Sequence, residues 1–99
     1  GRFAQVSGMT YVYDPSAPAG SRIVSVKVGG EDLDLNKTYK LATNDYILGG
    51  GDGYSALGGG RMLIDAANGN LMANDVIDYV LKNGGVTASV EGRIKTVGN

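Results

Sequence analysis

Apolar and polar residues alternate along the first half of the chain, which predicts β-strands. The clearest alternation is in "RIVSVKV", where Val26 and Val28 lie on one face while Ser25 and Lys27 lie on the other. Other short runs are rich in aromatic and β-branched residues, or alternate in the same way, and predict further strands. These runs are "FAQVSG", "MTYVYD", "EDLDL" and "TYKLAT".

Turn residues separate these runs. The pair Gly29-Gly30 directly follows "RIVSVKV" and favours a two-residue hairpin turn. The segment "DPSAPAG" contains both prolines of the chain and predicts a surface turn. Near the end of the chain, "VTASVEGRIKTV" predicts one or two further short strands.

The hydrophobic period changes in the second half of the chain. Apolar residues there recur at helical spacing. They are Met72, Ala73, Val76, Ile77, Val80 and Leu81. This spacing predicts a helix over most of residues 71–83, with Asn70 or Asn74 as the N-cap and Gly84 as a left-handed C-cap. We expect its branched residues, from Val76 to Leu81, to be buried against the sheet.

These elements predict one α+β domain over residues 1–99, with a mixed or mostly antiparallel sheet and one main helix. The chain begins inside a strand-like pattern, so we expect it to be a piece of a longer protein. No apolar run approaches the roughly 20 residues that a helix needs to cross a bilayer. We therefore predict no membrane segment.

The charges limit the partners and the chemistry. The chain has 9 basic and 10 acidic residues with no run of either sign, which argues against a nucleic acid polymer as partner. It has no histidine and no cysteine, so the zinc, copper and iron sites that depend on them are not expected. The segment "DLDLNK" resembles the start of a calcium loop, but Lys37 stands where glycine is required. We predict no metal ligand and no catalytic residue in this chain.

The segment "NDYILGGGDGY", residues 44–54, is the strongest candidate for a binding site. A phosphate cradle is disfavoured there because Asp52 would place a negative charge beside the phosphate. A carboxylate framed by glycines suits neutral hydroxyls, such as a ribose diol. The alternative is a structural turn in which Asp52 caps backbone N–H groups, and the residues alone favour it. Tyr46 offers a ring for stacking, but periodicity does not identify a second one.

The segments "GRFAQVSG", "YKLATNDYILGGGDGY" and "VEGRI" occur in this order and together resemble the C-terminal domain of the 5'-nucleotidase family. The most specific element is N-D-Y-x-x-x-G-G-D-G-Y. The family includes UDP-sugar hydrolases, 2',3'-cyclic phosphodiesterases and ecto-5'-nucleotidases. The resemblance covers essentially the whole chain, as a domain truncated at its N-terminus.

The resemblance implies a nucleotide-binding site with named residues. The base would lie between the rings of Phe3 and Tyr46, and Asp52 would bind the ribose hydroxyls. Gly50 and Gly51 would let the main chain pass close to the sugar. Tyr46 stands where some relatives have phenylalanine, which adds a polar edge to the ring. The family's other phosphate and base contacts lie upstream of Phe3 and are absent here.

The resemblance also implies a division of labour within a longer protein. An N-terminal metallophosphoesterase domain would hold two divalent metal ions and hydrolyse a nucleotide or nucleoside phosphate. This chain would bind the substrate and would be inactive alone. The protein would be extracellular, periplasmic or on the cell surface. The alternatives are a non-catalytic binding or assembly module, and a relative acting on non-nucleotide esters, against which the pair of rings argues.

Overall fold

The computed structural model describes residues 2–65 and 67–98. Contacts divide the chain into two compact units. The first unit consists of the N-terminal residues through Phe3 together with Lys40–Ala88. The second consists of Ala4–Tyr39 and the segment from Ser89 onward.

The second unit contains a four-stranded mixed sheet. Its strands are β1 (Met9–Tyr13), β2 (Ile23–Val28), β3 (Glu31–Asp32) and β4 (Ile94–Thr96), in the spatial order β3-β2-β1-β4. Strand β2 pairs antiparallel with both of its neighbours, whereas β1 and β4 run parallel. The predicted mixed sheet is therefore confirmed.

The hairpin between β2 and β3 forms where the glycine pair predicts it. Val28 pairs with Glu31, so that Gly29 and Gly30 make a two-residue loop. Their φ angles are 60° and 85°. Positive φ at both central residues is what a type I′ turn requires, and this turn matches the twist of the two strands.

The parallel pairing of β4 with β1 is a long-range feature. Tyr11 pairs with Ile94 and Tyr13 with Thr96. Parallel strands need a long connection between them. In this chain the connection includes the whole Lys40–Ala88 segment of the first unit. "VTASVEGRIKTV" thus contributes one strand, within the predicted range of one or two.

Two predicted strands are wrong. The run "FAQVSG" is irregular, and β1 begins only at Met9. "TYKLAT" is likewise irregular. In a strand, the backbone groups must pair with a neighbouring strand. In the part of the chain that the structure describes, neither segment belongs to the β-sheet. Strand β3 also ends at Asp32, so only the start of "EDLDL" is a strand.

The main helix, α2, spans Met72–Lys82, as predicted. Its C-terminus is also as predicted, because Gly84 has a φ of 70°. The N–H of Gly84 donates to the Leu81 carbonyl, and the N–H of Gly85 donates to the Val80 carbonyl. These two bonds form a Schellman motif.

The predicted N-cap of α2 is wrong. The N-cap is Leu71, which makes no side-chain capping bond. Asn70 donates instead to the Asp75 carboxylate at 3.2 Å, and Asn74 lies inside the helix. An asparagine near a helix start can therefore bond to a side chain in the first turn rather than to the free backbone N–H groups.

The predicted burial of the α2 apolar face is also wrong. Val76, Ile77 and Leu81 are exposed by 57%, 53% and 74%, and Val80 is half-buried. None of the residues that the structure describes is fully buried. Helical spacing establishes an apolar face but does not provide the surface that would cover it. Within the described residues, no helix is long and apolar enough to cross a membrane.

Candidate functional site

The motif "NDYIL" forms a short helix, α1 (Asp45–Leu48), which positions Tyr46. Asn44 is its N-cap, and its side-chain oxygen accepts a hydrogen bond from the Ile47 N–H at 2.8 Å. The Asp45 carboxylate accepts one from the Tyr46 N–H at 2.9 Å. Asparagine and aspartate at these positions satisfy N–H groups that a helix start leaves free. This helix was missed in the sequence, although an N-cap residue followed by an acid is its usual signal.

The ring of Tyr46 lies against the main chain of Gly51. A Cβ atom built on Gly51 would lie 2.6 Å from both Cδ2 and Cζ of the ring, and still closer to Cε2 between them. Near-equal distances to three adjacent ring atoms mean that this Cβ would point onto the face of the ring. Because Tyr46 is nevertheless 62% exposed, most of the ring surface away from Gly51 remains accessible.

Asp52 follows Gly51 in a strained conformation. Its φ of 54° and ψ of 24° are left-handed. Among residues 2–65 and 67–98, it is the one residue other than glycine with a positive φ. This conformation costs roughly 1–2 kcal/mol for an L-residue, and less for aspartate than for most. Backbone strain of this kind tends to occur at functional sites.

The carboxylate of Asp52 is not used to cap the backbone. The Tyr46 hydroxyl donates to its Oδ1 over a long 3.4 Å. Within residues 2–65 and 67–98, no backbone N–H donates to this carboxylate. The structural alternative, in which Asp52 caps N–H groups of its own turn, is therefore not what the structure shows. The carboxylate keeps most of its capacity to accept hydrogen bonds from a ligand.

Arg2 connects the N-terminal segment to the same loop. Its Nε donates to the backbone carbonyl of Asp52 at 2.9 Å. In return, the Tyr54 hydroxyl donates to the backbone carbonyl of Arg2. Phe3, the next residue, is 54% exposed. The first unit therefore brings the N-terminal segment (Arg2 and Phe3) and the glycine loop (residues 49–54) together, although they are about 50 positions apart in sequence.

Most of the predicted site residues are brought together. Tyr46, Gly51 and Asp52 contact one another directly, and Gly50 adjoins them with a φ of 95°. Phe3 is joined to this group through Arg2. Sequence reasoning missed Arg2 and Tyr54 as parts of the site. No local pattern identifies them, since their bonds link distant parts of the chain.

Comparisons with known proteins identify the family. The profile of the family described as "5'-nucleotidase, C-terminal domain" matches residues 1–59. The chain belongs to the 5'-nucleotidase C-terminal domain family. Both the N-terminal "GRF" and the glycine loop lie within the matched residues. The resemblance inferred from these motifs is thereby confirmed.

Individual 5'-nucleotidases match over almost the whole chain. A snake venom 5'-nucleotidase of Gloydius brevicauda is 40% identical over 95% of this chain and 17% of its own length. A 5'-nucleotidase of Diplobatis ommata is 36% identical over 100% of this chain and 18% of its own length. The chain thus spans less than one fifth of the length of these two relatives.

A solved structure supports the fold. The crystal structure of a 5'-nucleotidase precursor from Thermus thermophilus matches with a TM-score of 0.83 and 38% identity. The match covers 96% of this chain and 19% of that one. The α+β fold with a mixed sheet and one main helix is therefore that of a 5'-nucleotidase C-terminal domain.

Proposed function

We propose that this chain is the nucleoside-binding part of a metal-dependent 5'-nucleotidase-type phosphoesterase. The observation that carries the proposal is the Asp52 carboxylate, which the turn does not use and which lies beside an exposed aromatic ring. A charged hydrogen-bond acceptor next to a flat apolar surface suits a ligand with hydroxyls at one end and a planar base at the other.

The base would stack on Tyr46 and Phe3. The main chain of Gly51 covers one part of the Tyr46 ring, so the base would approach from the open side. Stacking on an aromatic side chain contributes about 1–3 kcal/mol per base and tolerates any base. We therefore expect the ring pair to provide affinity for nucleosides in general rather than to select one base.

The ribose would bind to Asp52. Its two carboxylate oxygens can accept hydrogen bonds from both hydroxyls of the diol, and bonds to an ionised acceptor are stronger than neutral ones. Gly50 and Gly51 provide the main chain beside this carboxylate. Nothing lies within 4 Å of the position that a Cβ on Gly50 would occupy, so a sugar can approach the backbone there.

Hydrolysis would take place elsewhere in the longer protein. The described residues contain no group of three or more acids that could hold a metal ion. We assign the two divalent ions to a preceding metallophosphoesterase domain, where a metal-activated water would attack the phosphorus. The coverage of less than one fifth of the matched relatives leaves room for such a domain. Since one relative is a venom enzyme, we also propose an extracellular or cell-surface location.

The experiment compares variants of the full-length protein on substrates that differ in the sugar. Asp52→Asn keeps the shape of the side chain but loses the charge, so it should raise KM most for ribonucleotides and least for dideoxynucleotides. Phe3→Ala and Tyr46→Ala should each weaken capture by about 1–3 kcal/mol for both. Tyr46→Phe is the control and should have little effect, since the ring remains.

The opposite results would reject the site. If Asp52→Asn affected both sugars equally, the glycine loop would be only a turn. We also expect the isolated 99-residue chain to hydrolyse no nucleotide with added divalent metal. If the full-length protein bound nucleosides but did not hydrolyse their phosphates, the chain would instead be part of a binding module.

A further inference from the structure

Arg2 and the glycine loop are joined by two hydrogen bonds that run in opposite directions. The Arg2 side chain donates to the loop backbone at Asp52, and the Tyr54 side chain donates back to the Arg2 backbone. Each bond thus joins the side chain of one segment to the main chain of the other. Such a pair restricts both the distance and the relative orientation of the two segments.

The position of the Arg2 guanidinium group also explains why residue 53 is a glycine. A Cβ atom on Gly53 would lie 2.8 Å from both Cζ and Nε of Arg2, and closer still to Nη2. The guanidinium therefore lies directly on the main chain at Gly53. Any larger residue there would displace it.

The bond from Arg2 is to the carbonyl of Asp52 and not to its carboxylate. An arginine paired with the carboxylate would occupy the oxygens that a diol needs. As observed, Arg2 binds the backbone carbonyl of Asp52, whose conformation is left-handed, and leaves the carboxylate to a ligand.

We propose that Arg2 and Tyr54 are positioning residues that hold Phe3 at the nucleoside site, an inference that depends on the function proposed above. The Cα atoms of consecutive residues are about 3.8 Å apart, so holding Arg2 against the loop keeps the backbone of Phe3 beside it. The two bonds thereby limit how far Phe3 can move from the loop that carries Asp52. Base capture, and not phosphate chemistry, depends on them.

The test uses Tyr54→Phe and Arg2→Ala in the full-length protein. Tyr54→Phe removes one hydroxyl and keeps the ring, so the free energy of unfolding should fall by only about 0.5–1.5 kcal/mol and the domain should stay folded. Loss of one hydrogen bond typically changes an equilibrium constant several-fold. If this bond positions Phe3 for base capture, KM for a nucleoside monophosphate should rise roughly 3- to 10-fold with little change in kcat. KM for phenyl phosphate, which has no nucleoside, should not change.

The matched control is Tyr79→Phe. Tyr79 is an exposed tyrosine of α2, and its hydroxyl makes no hydrogen bond to the residues that the structure describes. This variant should leave KM for both substrates unchanged. A double variant sharpens the test: if Tyr54 acts through Phe3, adding Tyr54→Phe to Phe3→Ala should raise KM no further.

The outcomes separate this inference from the proposed function. If Phe3→Ala raises KM for the nucleotide but Tyr54→Phe and Arg2→Ala do not, the positioning role is wrong and the nucleoside site stands. If Phe3→Ala and Tyr46→Ala also have no effect, the nucleoside site itself is wrong. A rise of KM for phenyl phosphate in Tyr54→Phe would show a general structural role and would also overturn the inference.

Discussion

Two glycine-rich segments of this molecule use glycine for different reasons. In the hairpin turn, Gly29 and Gly30 have positive φ, and a Cβ on either would meet nothing within 4 Å. In the glycine loop, the space at Gly51 is taken by the Tyr46 ring, and the space at Gly53 by the Arg2 guanidinium. The hairpin thus needs glycine for its backbone conformation alone, whereas at Gly51 and Gly53 the loop also leaves no space for a Cβ atom.

Four glycines form two pairs, and the members of each pair differ in whether a side chain lies against them. Gly30 and Gly53 have nearly the same φ, 85° and 83°, but only Gly53 has a side chain against it. Gly51 and Gly58 both lack positive φ, and only Gly51 has a neighbour there, since a Cβ on Gly58 meets nothing within 4 Å. Alanine substitutions at these four positions therefore separate the cost of backbone strain from the cost of lost space.

The largest effect is expected for Gly53→Ala. Left-handed strain costs roughly 1–2 kcal/mol, and loss of the Arg2 bond to the loop adds about 0.5–1.5 kcal/mol. We expect a total loss of about 1.5–3.5 kcal/mol in the free energy of unfolding of this domain, measured by calorimetry on the full-length protein. In an Arg2→Ala background the loss should shrink to the strain alone. If Gly53→Ala lowered the free energy of unfolding equally with and without Arg2, the guanidinium contact would not contribute to stability.

Gly51→Ala should impair binding more than stability. The new methyl group would displace the exposed Tyr46 ring, so capture of a nucleoside monophosphate should weaken by about 1–2 kcal/mol, close to the effect of Tyr46→Ala. The measurement is KM in the full-length protein. Gly58→Ala is the control and should leave KM unchanged. Equal KM values for the two variants would contradict the ring contact at Gly51.

The smallest effect is expected for Gly30→Ala. An alanine at this position incurs only the left-handed strain, so the free energy of unfolding should fall by roughly 1–2 kcal/mol and KM should not change. Gly29→Asn is the control, because asparagine tolerates a φ near 60° and Asn-Gly favours this turn. If Gly30→Ala cost as much as Gly53→Ala, strain alone would explain both segments.

Local chemistry was sufficient where a feature depends on neighbouring residues. The hairpin at Gly29-Gly30, the helix Met72–Lys82 and its C-cap at Gly84 were all predicted correctly. Each depends on a backbone preference or on a short hydrophobic period. The same reasoning failed for "TYKLAT", which has the composition of a strand but does not pair with any strand among the described residues. It also failed for the apolar face of α2, because no covering surface is specified by the helix itself.

The residues of the proposed site were inferred from resemblance rather than from pattern. Composition favoured a structural turn for Asp52, and the structure shows instead a carboxylate that no backbone N–H engages in the described chain. Periodicity also did not pair Phe3 with Tyr46. The hydrogen bonds that join Arg2, next to Phe3, to the loop after Tyr46 span about 50 residues, and such long-range closure has no local sequence pattern.

The sequence by itself determined the glycine positions, the period of each segment and the family to which they point. Only the tertiary structure decided why each of these positions requires glycine: Gly30 for its φ angle, Gly51 for the Tyr46 ring, and Gly53 for both its φ angle and the Arg2 guanidinium. The physical reason is that backbone preference belongs to a residue and its neighbours. The space beside a Cα atom depends instead on which distant side chain the fold brings there.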